Sequence, residues 1–375
     1  MARAETFETG IAVVGAGVVG LACAAALARN GHDVIVLERN AGVGREISAR
    51  NSGVIHAGLY YPRYSRKAEL CVAGRLALYE RCRARGIAHR QTGKLVIACA
   101  PDEVTALEAL ARQGTANGVP DLRLLDAHEV SALEPRVRAT AGLLVPQTGI
   151  VDAHELMASY QAELESAGGR VVLRTSVSEL SRDERGWRIE AREAAGQCAV
   201  VRARGVVNAA GLEAQHIAAL AGVDVRAAGY TAHPRKGDYF AVAPALGHLC
   251  ERLIYPVPPA GGGLGIHVTV DLGGRFRLGP DASYVDSISY DVQAEKAESF
   301  AAAARLYLPE LRAEHLSPDG AGVRPSLQGP GDPFRDFEIA EESGRGLAGL
   351  VNLIGIESPG LTAAGAIAEQ VVKLV

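Results

Sequence analysis

The chain has no C-x-x-C pair and no cysteine–histidine grouping with metal-ligand spacing. Its six cysteines, Cys23, Cys71, Cys82, Cys99, Cys198 and Cys250, are scattered singly along 375 residues. That distribution argues against a disulfide framework and against a metal centre, and it reads as reduced thiols. Basic blocks are absent too, and the formal net charge is −4; nucleic acid is therefore not the expected partner. No apolar run reaches membrane-spanning length, so no transmembrane segment is expected. The first residues, Met1 to Glu8, carry acids and lack the apolar core of a signal peptide, which points to a cytoplasmic protein, with docking on the inner membrane surface left open. There are no internal repeats and no low-complexity tracts. Length and ordinary apolar content fit two domains, or one large α/β unit with an insertion.

What is present begins at Ile11-Ala-Val-Val-Gly15-Ala-Gly17-Val-Val-Gly20, followed by an Ala-rich helical stretch and a second apolar strand, Asp33-Val-Ile-Val-Leu-Glu38. This is a βαβ unit with G-x-G-x-x-G spacing and an acid about 20 residues on, the dinucleotide fingerprint. Gly15 permits the tight turn, Gly17 lets backbone approach a pyrophosphate, and Gly20 lets the helix pack against the sheet. The helix N-terminus offers free N–H groups and a positive dipole end. Glu38 can accept from both ribose hydroxyls and would repel a 2′-phosphate.

Further along, hydrophobic periodicity predicts helices over Lys67–Arg85, Pro101–Asn117, Asp152–Ala167 and Ala294–Leu308, and a short one within Asp126–Pro135. Strands are predicted at Lys94–Cys99, Arg170–Arg174 and Gly205–Gly211, with Trp187–Arg192 and Ala199–Ala203 as hairpin partners. From Tyr230 the pattern is β-rich, at Gly237–Val242, Leu253–Val257, Gly265–Val270 and Arg275–Gly279. A Pro/Gly-rich stretch, Ser317–Pro333, leads to a last strand and an Ala-rich final helix. Nucleotide-associated segments fall at the start, middle and end, so the two domains are expected to interleave.

Three segments bear on which dinucleotide is held: Ser48-Ala-Arg50-Asn51-Ser52-Gly-Val-Ile-His56-Ala-Gly58, Val207-Asn208-Ala-Ala210-Gly211, and Asn352-Leu-Ile-Gly355-Ile-Glu-Ser-Pro359-Gly360-Leu361-Thr362. All three resemble the flavin-contacting segments of the D-amino-acid-oxidase-like FAD enzymes. Within that superfamily, Asn51–Pro62, Lys236-Gly-Asp-Tyr239, Leu253-Ile-Tyr-Pro-Val-Pro258, Gly265-Ile-His267, Gly279-Pro-Asp281, Gly322-Val-Arg-Pro325 and Ile356–Thr362 resemble the L-2-hydroxyglutarate oxidase/dehydrogenase family, in order and over nearly the whole chain.

The resemblance implies an α/β plus α+β architecture. A Rossmann-like FAD-binding domain of glutathione-reductase type (1–88, 147–228 and 336–375) is interleaved with a mixed β-sheet substrate domain (89–146 and 229–335). It implies non-covalent FAD contacted by Gly15, Gly17, Val18, Gly20, Glu38, Arg39, Ser48, Arg50, Asn51, Ser52, Val177, Ala210, Gly211, Gly355, Gly360, Leu361 and Thr362. The final helix, starting near Gly360, would point its N-terminus at the pyrimidine edge of the flavin, where reduced flavin is negative. A helix N-terminus favours such charge by up to about 2 kcal/mol.

Oxidising an alcohol in this way requires hydride transfer to flavin N5, a base for the hydroxyl proton, and cations that hold carboxylates. His267 is favoured as the base, because alternation places it opposite Ile266 and Val268, and His56 as a substrate or flavin contact. Arg324 is the expected carboxylate ligand through a bidentate guanidinium. Lys236 is a candidate for the distal carboxylate, with Arg235 leaving that contact open by one residue, and Tyr255, Tyr60 and Tyr61 are candidate wall residues. The remaining histidines, His248 among them, read as structural or surface groups.

The expected activity is FAD-dependent oxidation of a small L-2-hydroxy acid, L-2-hydroxyglutarate to 2-oxoglutarate. The electron acceptor stays open between oxygen, quinone and a carrier protein. The rival readings are a glycerol-3-phosphate dehydrogenase, an amino-acid or amine oxidase, and a non-catalytic flavoprotein subunit.

Overall fold

The computed structural model describes residues 5–193, 196–247, 249–257 and 265–375; Met1 to Ala4, His248 and Pro258 lie outside them. Two large sheets and one small one organise the chain. The first large sheet runs in the order Thr175–Asp183, Gly186–Glu193, Cys198–Asn208, Glu5–Val14, Val34–Leu37, Arg170–Val172. Leu350–Ile354 pairs parallel with the last turn of Cys198–Asn208 and carries Glu338–Glu341 antiparallel. The central strands are Val/Ile/Leu runs buried on both faces, as a helix-covered parallel sheet demands.

On one face pack the helices Val18–Arg29, Arg66–Arg85, Ala153–Ser166 and Gly360–Leu374. Small residues let them approach closely. A Cβ at Gly20 would lie 2.0 Å from the Gly15 carbonyl oxygen, so only glycine lets the first helix start directly under the turn. The other face is covered by Ala214–Leu220 and by Trp187 and its neighbours.

A buried polar network stitches the strand ends together. Asn208 Nδ2 donates to Ala214 O and to Asn352 Oδ1, both at 2.7 Å. Asn352 Nδ2 donates to Glu342 Oε1 at 2.9 Å, which also accepts from Tyr230 Oη at 2.7 Å. Arg345 donates to the second oxygen of Glu342 at 2.5 Å. Asn208, Asn352 and Glu342 have no exposed surface. The middle and closing segments of the chain are thereby locked side by side.

The second large sheet runs Ser283–Tyr284, His233–Val242, Phe276–Leu278, Val268–Val270, Leu253–Pro256, Lys94–Ala98, Ala141–Val145, Arg123–Asp126, with Leu316–Ser326 also pairing with His233–Val242. The small sheet joins Val54–Ile55, Gly149–Val151 and His89–Arg90.

Several elements depart from the sequence reading. Ser317–Pro333 was expected as a Pro/Gly-rich connection, but Leu316–Ser326 is an eleven-residue strand. Among the described residues it pairs with one neighbour only, and Pro318 sits opposite Phe240 where the register slips, which are the settings in which a strand tolerates proline. Its Gly322 is required by packing: a Cβ there would lie 2.4 Å from Arg50 O. Ala199–Ala203 and Gly205–Gly211 are not two strands; Cys198–Asn208 is continuous, with its first half antiparallel to Gly186–Glu193 and its end parallel to Leu350–Ile354. Thr175–Asp183 was not anticipated, since its polar, largely exposed sequence carries little hydrophobic signal. The expected helix Ala294–Leu308 is a 3₁₀ turn, Ala294–Lys296, followed by Ala297–Arg305. All six cysteines are free thiols.

Candidate active site

A long cavity is lined by residues of both large sheets. Of the expected cofactor contacts, Gly15, Gly17, Val18, Glu38, Arg39, Ser48, Arg50, Asn51, Ser52, Val177, Ala210, Gly211, Gly360 and Leu361 lie on its wall. Gly20, Gly355 and Thr362 do not. Gly20 is buried against the turn, and Gly355 is a positive-φ turn residue packed on Leu327. Thr362 lies just inside the last helix, where its Oγ1 accepts from His56 N at 3.0 Å and donates to Val54 O at 3.3 Å.

The lining fits a dinucleotide. Glu38 is fixed at the end of the second strand: one carboxylate oxygen accepts from Ala16 N at 2.8 Å, and the other from Asn40 N and Nδ2 at 2.7 and 2.8 Å. A Cβ on Gly17 would come within 3.0 Å of Ser48 Oγ, so glycine keeps this approach to the helix start clear. Ser48 Oγ in turn accepts from Val18 N at 2.9 Å. The same cavity continues to Pro359, Gly360 and Leu361, at the N-terminus of Gly360–Leu374, where the helix dipole favours an anion.

Near that helix start, His56, Tyr239, Tyr255, His267 and Arg324 share the wall. His56 comes from the segment after Val54–Ile55, and its Nε2 lies 3.2 Å from Ser358 Oγ. Burial, then the positive charges of Lys94 and Arg324, push its imidazole down to about 3, so it is neutral at ordinary pH. His267 immediately precedes the strand Val268–Val270 rather than lying within it. Its ring stacks on Tyr255 with centroids 3.5 Å apart and planes 14° apart. Burial pushes the Tyr255 hydroxyl well above the usual phenol range, so it stays protonated. Arg324 sits on Leu316–Ser326, opposite Arg235 in register.

Lys236 is not on the wall. Its ammonium donates to Asp291 O and pairs with Asp238 at 3.2 Å, within a cluster that also holds Lys296 and Asp281. Arg235 is also off the wall, facing the Tyr284 ring at 5.5 Å. Asp238 holds Lys236 and Tyr284 faces Arg235, so neither cation of this string lies on the cavity wall. Tyr60 and Tyr61 stand behind the wall rather than on it.

Lys94 is not singled out by the sequence alone. It starts the strand Lys94–Ala98, is 1% exposed, and donates to Tyr60 Oη at 3.3 Å. Its signal was too weak to find: a lysine opening a strand reads as a solvated end, and only the strands on either side bury it.

A family model described as FAD dependent oxidoreductase matches residues 10–374. The mitochondrial L-2-hydroxyglutarate dehydrogenase of Arabidopsis thaliana is 38% identical over 96% of this chain and 82% of its own length. The human mitochondrial L-2-hydroxyglutarate dehydrogenase is 36% identical over 74% of this chain and 62% of its own length. Among solved structures, the FAD-bound L-alpha-glycerophosphate oxidase of Mycoplasma pneumoniae superposes with a TM-score of 0.86 at 25% identity, covering 98% of this chain and 94% of that one.

Proposed function

The chain belongs to the FAD dependent oxidoreductase family and, within it, groups with the L-2-hydroxyglutarate dehydrogenases; from that premise we propose that it oxidises L-2-hydroxyglutarate to 2-oxoglutarate. When bound, FAD supplies the two-electron acceptor for this chemistry. Glu38, Gly15, Gly17, Ser48 and the N-terminus of Gly360–Leu374 are the groups that would hold it. In this reading the sheet containing Glu5–Val14 carries the cofactor. The sheet containing His233–Val242 and Lys94–Ala98 closes over the substrate, dividing the chain near residues 88, 146, 228 and 335.

The observation that carries the reading is the meeting of His56 and Arg324 on one wall, beside the start of the last helix. Arg324 grips the carboxylate next to the reacting carbon with two parallel hydrogen bonds. His56, held neutral, takes the hydroxyl proton on a ring nitrogen. Burial, then the charges of Lys94 and Arg324, lower its basicity, and an arriving carboxylate offsets the second part only. General-base assistance of this kind is worth about 10²–10⁴-fold. His56 is taken as the base for its place at the helix start, against Ser358; the His267 ring, stacked on Tyr255, shares the same wall.

The test is anaerobic mixing of the flavin-loaded protein with L-2-hydroxyglutarate, glycerol 3-phosphate and a set of amino acids. Bleaching of the visible flavin band by the first alone is the expected result. Bleaching by either of the others, with none by the 2-hydroxy acid, refutes the assignment.

A further inference from the structure

Lys94 is a buried cation with no carboxylate partner among the described residues. The contrast with Lys67 is direct: that lysine, 6% exposed, pairs with Glu357 at 3.0 Å. Lys94 is instead caged by aromatic faces, with the Tyr60 ring centre 4.4 Å and the Tyr255 ring centre 4.7 Å from its Nζ. Other elements around it bring Cys71, from Arg66–Arg85, and His56. On either side in the sheet it has Leu253 and Val145, which bring no charge. An ammonium in such surroundings is held at a cost that π-faces offset only in part. Burial accordingly pushes it down to about 7, and the neighbouring Cys71 thiol up to about 12.

The position of this charge is informative. Tyr255 has Lys94 against its ring, stacks on His267 and forms part of the cavity wall. Lys94 therefore stands one aromatic side chain behind the wall. His56 feels two cations from two different strands, Arg324 and Lys94. A substrate with one carboxylate balances one of them, and a substrate with two balances both.

We infer that Lys94 is a specificity-determining residue for the second carboxylate of a dicarboxylic 2-hydroxy acid, acting as a counter-charge through the Tyr60–Tyr255 layer rather than by contact. The inference rests on the dicarboxylate reading proposed above. It adds a proton linkage: above neutrality part of the free protein carries a neutral Lys94 amine, and binding of a dicarboxylate draws one proton onto it. A unit charge roughly 7 Å from a carboxylate, at an effective dielectric of about 20 to 40, favours the diacid by roughly tenfold to fiftyfold.

The comparison that isolates this effect uses L-2-hydroxyglutarate and L-2-hydroxypentanoate, which share a carbon skeleton and differ in the distal carboxylate. For the flavin-loaded wild type, the diacid-to-monoacid ratio of kcat/KM is expected to fall roughly tenfold between about pH 6 and about pH 9, mainly through KM, as Lys94 loses its proton. In Lys94→Met and Lys94→Gln the ratio is expected to be low throughout and independent of pH, which a packing defect alone would not produce. Calorimetric titration with glutarate in buffers of different ionisation enthalpy reads the proton directly: uptake in wild type near pH 8, none in the variants. Should the variants fail to load flavin, the wild-type pH dependence and the calorimetry decide alone. A diacid preference that is flat with pH and survives both substitutions overturns the inference and leaves the proposed function standing. A wild type that oxidises the monoacid and ignores the diacid overturns both.

Discussion

Removing the Asn208 side chain tests whether the middle and closing segments are locked by the network beneath the cofactor cradle. In Asn208→Ala, Ala214 O and Asn352 Oδ1 lose a donor at sites with almost no solvent access. A buried acceptor left without a donor costs about 1–3 kcal/mol; Ala214 O keeps the backbone donor of its own helix, so that cost falls on Asn352 Oδ1. A chain of 375 residues has an unfolding entropy of about 0.8 kcal/mol per kelvin, and the melting temperature should drop by about 1–4 K. Flavin affinity should fall with it, because Ala210 and Gly211 on the cavity wall follow directly from Asn208. Thermal melts of apo and flavin-loaded protein, with a fluorescence titration of FAD, read both effects. Asn352→Ala should couple to it, so that the double variant loses about 1 kcal/mol less than the sum of the two. A single variant melting within about 0.5 K of wild type, or strict additivity, refutes the lock.

Three other substitutions and profiles follow from the site. Arg324→Ala should lower kcat/KM for the 2-hydroxy acid by about 10²–10³-fold, and Arg324→Lys should restore only part of it, because an ammonium cannot grip a carboxylate in parallel; steady-state kinetics decide, and full rescue by lysine argues against the bidentate contact. Since the His56 imidazole is pushed down to about 3, kcat/KM should show no acid limb from free His56 between about pH 5 and 7; a limb near 6.5 that vanishes in His56→Gln shows an unperturbed histidine instead. Lys94→Met should stabilise the apo protein below neutrality. Burial lowers the folded-state ammonium from 10.5 to about 7, a penalty of at most about 5 kcal/mol. That penalty stands in full below pH 7 and is relieved as pH rises toward 10.5, so the variant's advantage in melting temperature should shrink over that range. A variant less stable than wild type at about pH 6 counts against an uncompensated ammonium.

What could be read from the chain alone was what is contiguous in it. The turn at Gly15, Gly17 and Gly20 and the acid Glu38 form one short unit whose geometry is dictated locally. The helix at Gly360 follows a Pro-Gly pair and announces itself in the same way. Residues whose role depends on distant neighbours were harder to read. Lys236 looks like a free cation until Asp238 and Asp291, the latter brought in from another segment, are placed against it. Lys94 looks solvated until the strands holding Val145 and Leu253 flank it. The strand Leu316–Ser326 is masked by the prolines and glycines it can carry as a strand paired on one side.

The wall of the cavity draws on residues near 14–56, 175–217, 237–267, 322–324 and 353–361. Synthesis delivers these pieces in that order, and the anion-favouring helix start is the last of them. A nascent chain has the glycine turn early but lacks the closing piece until the helix Gly360–Leu374 emerges. The complete cofactor wall thus waits for Gly360 in this topology, and a premature stop before it leaves the turn intact while removing what completes the clasp.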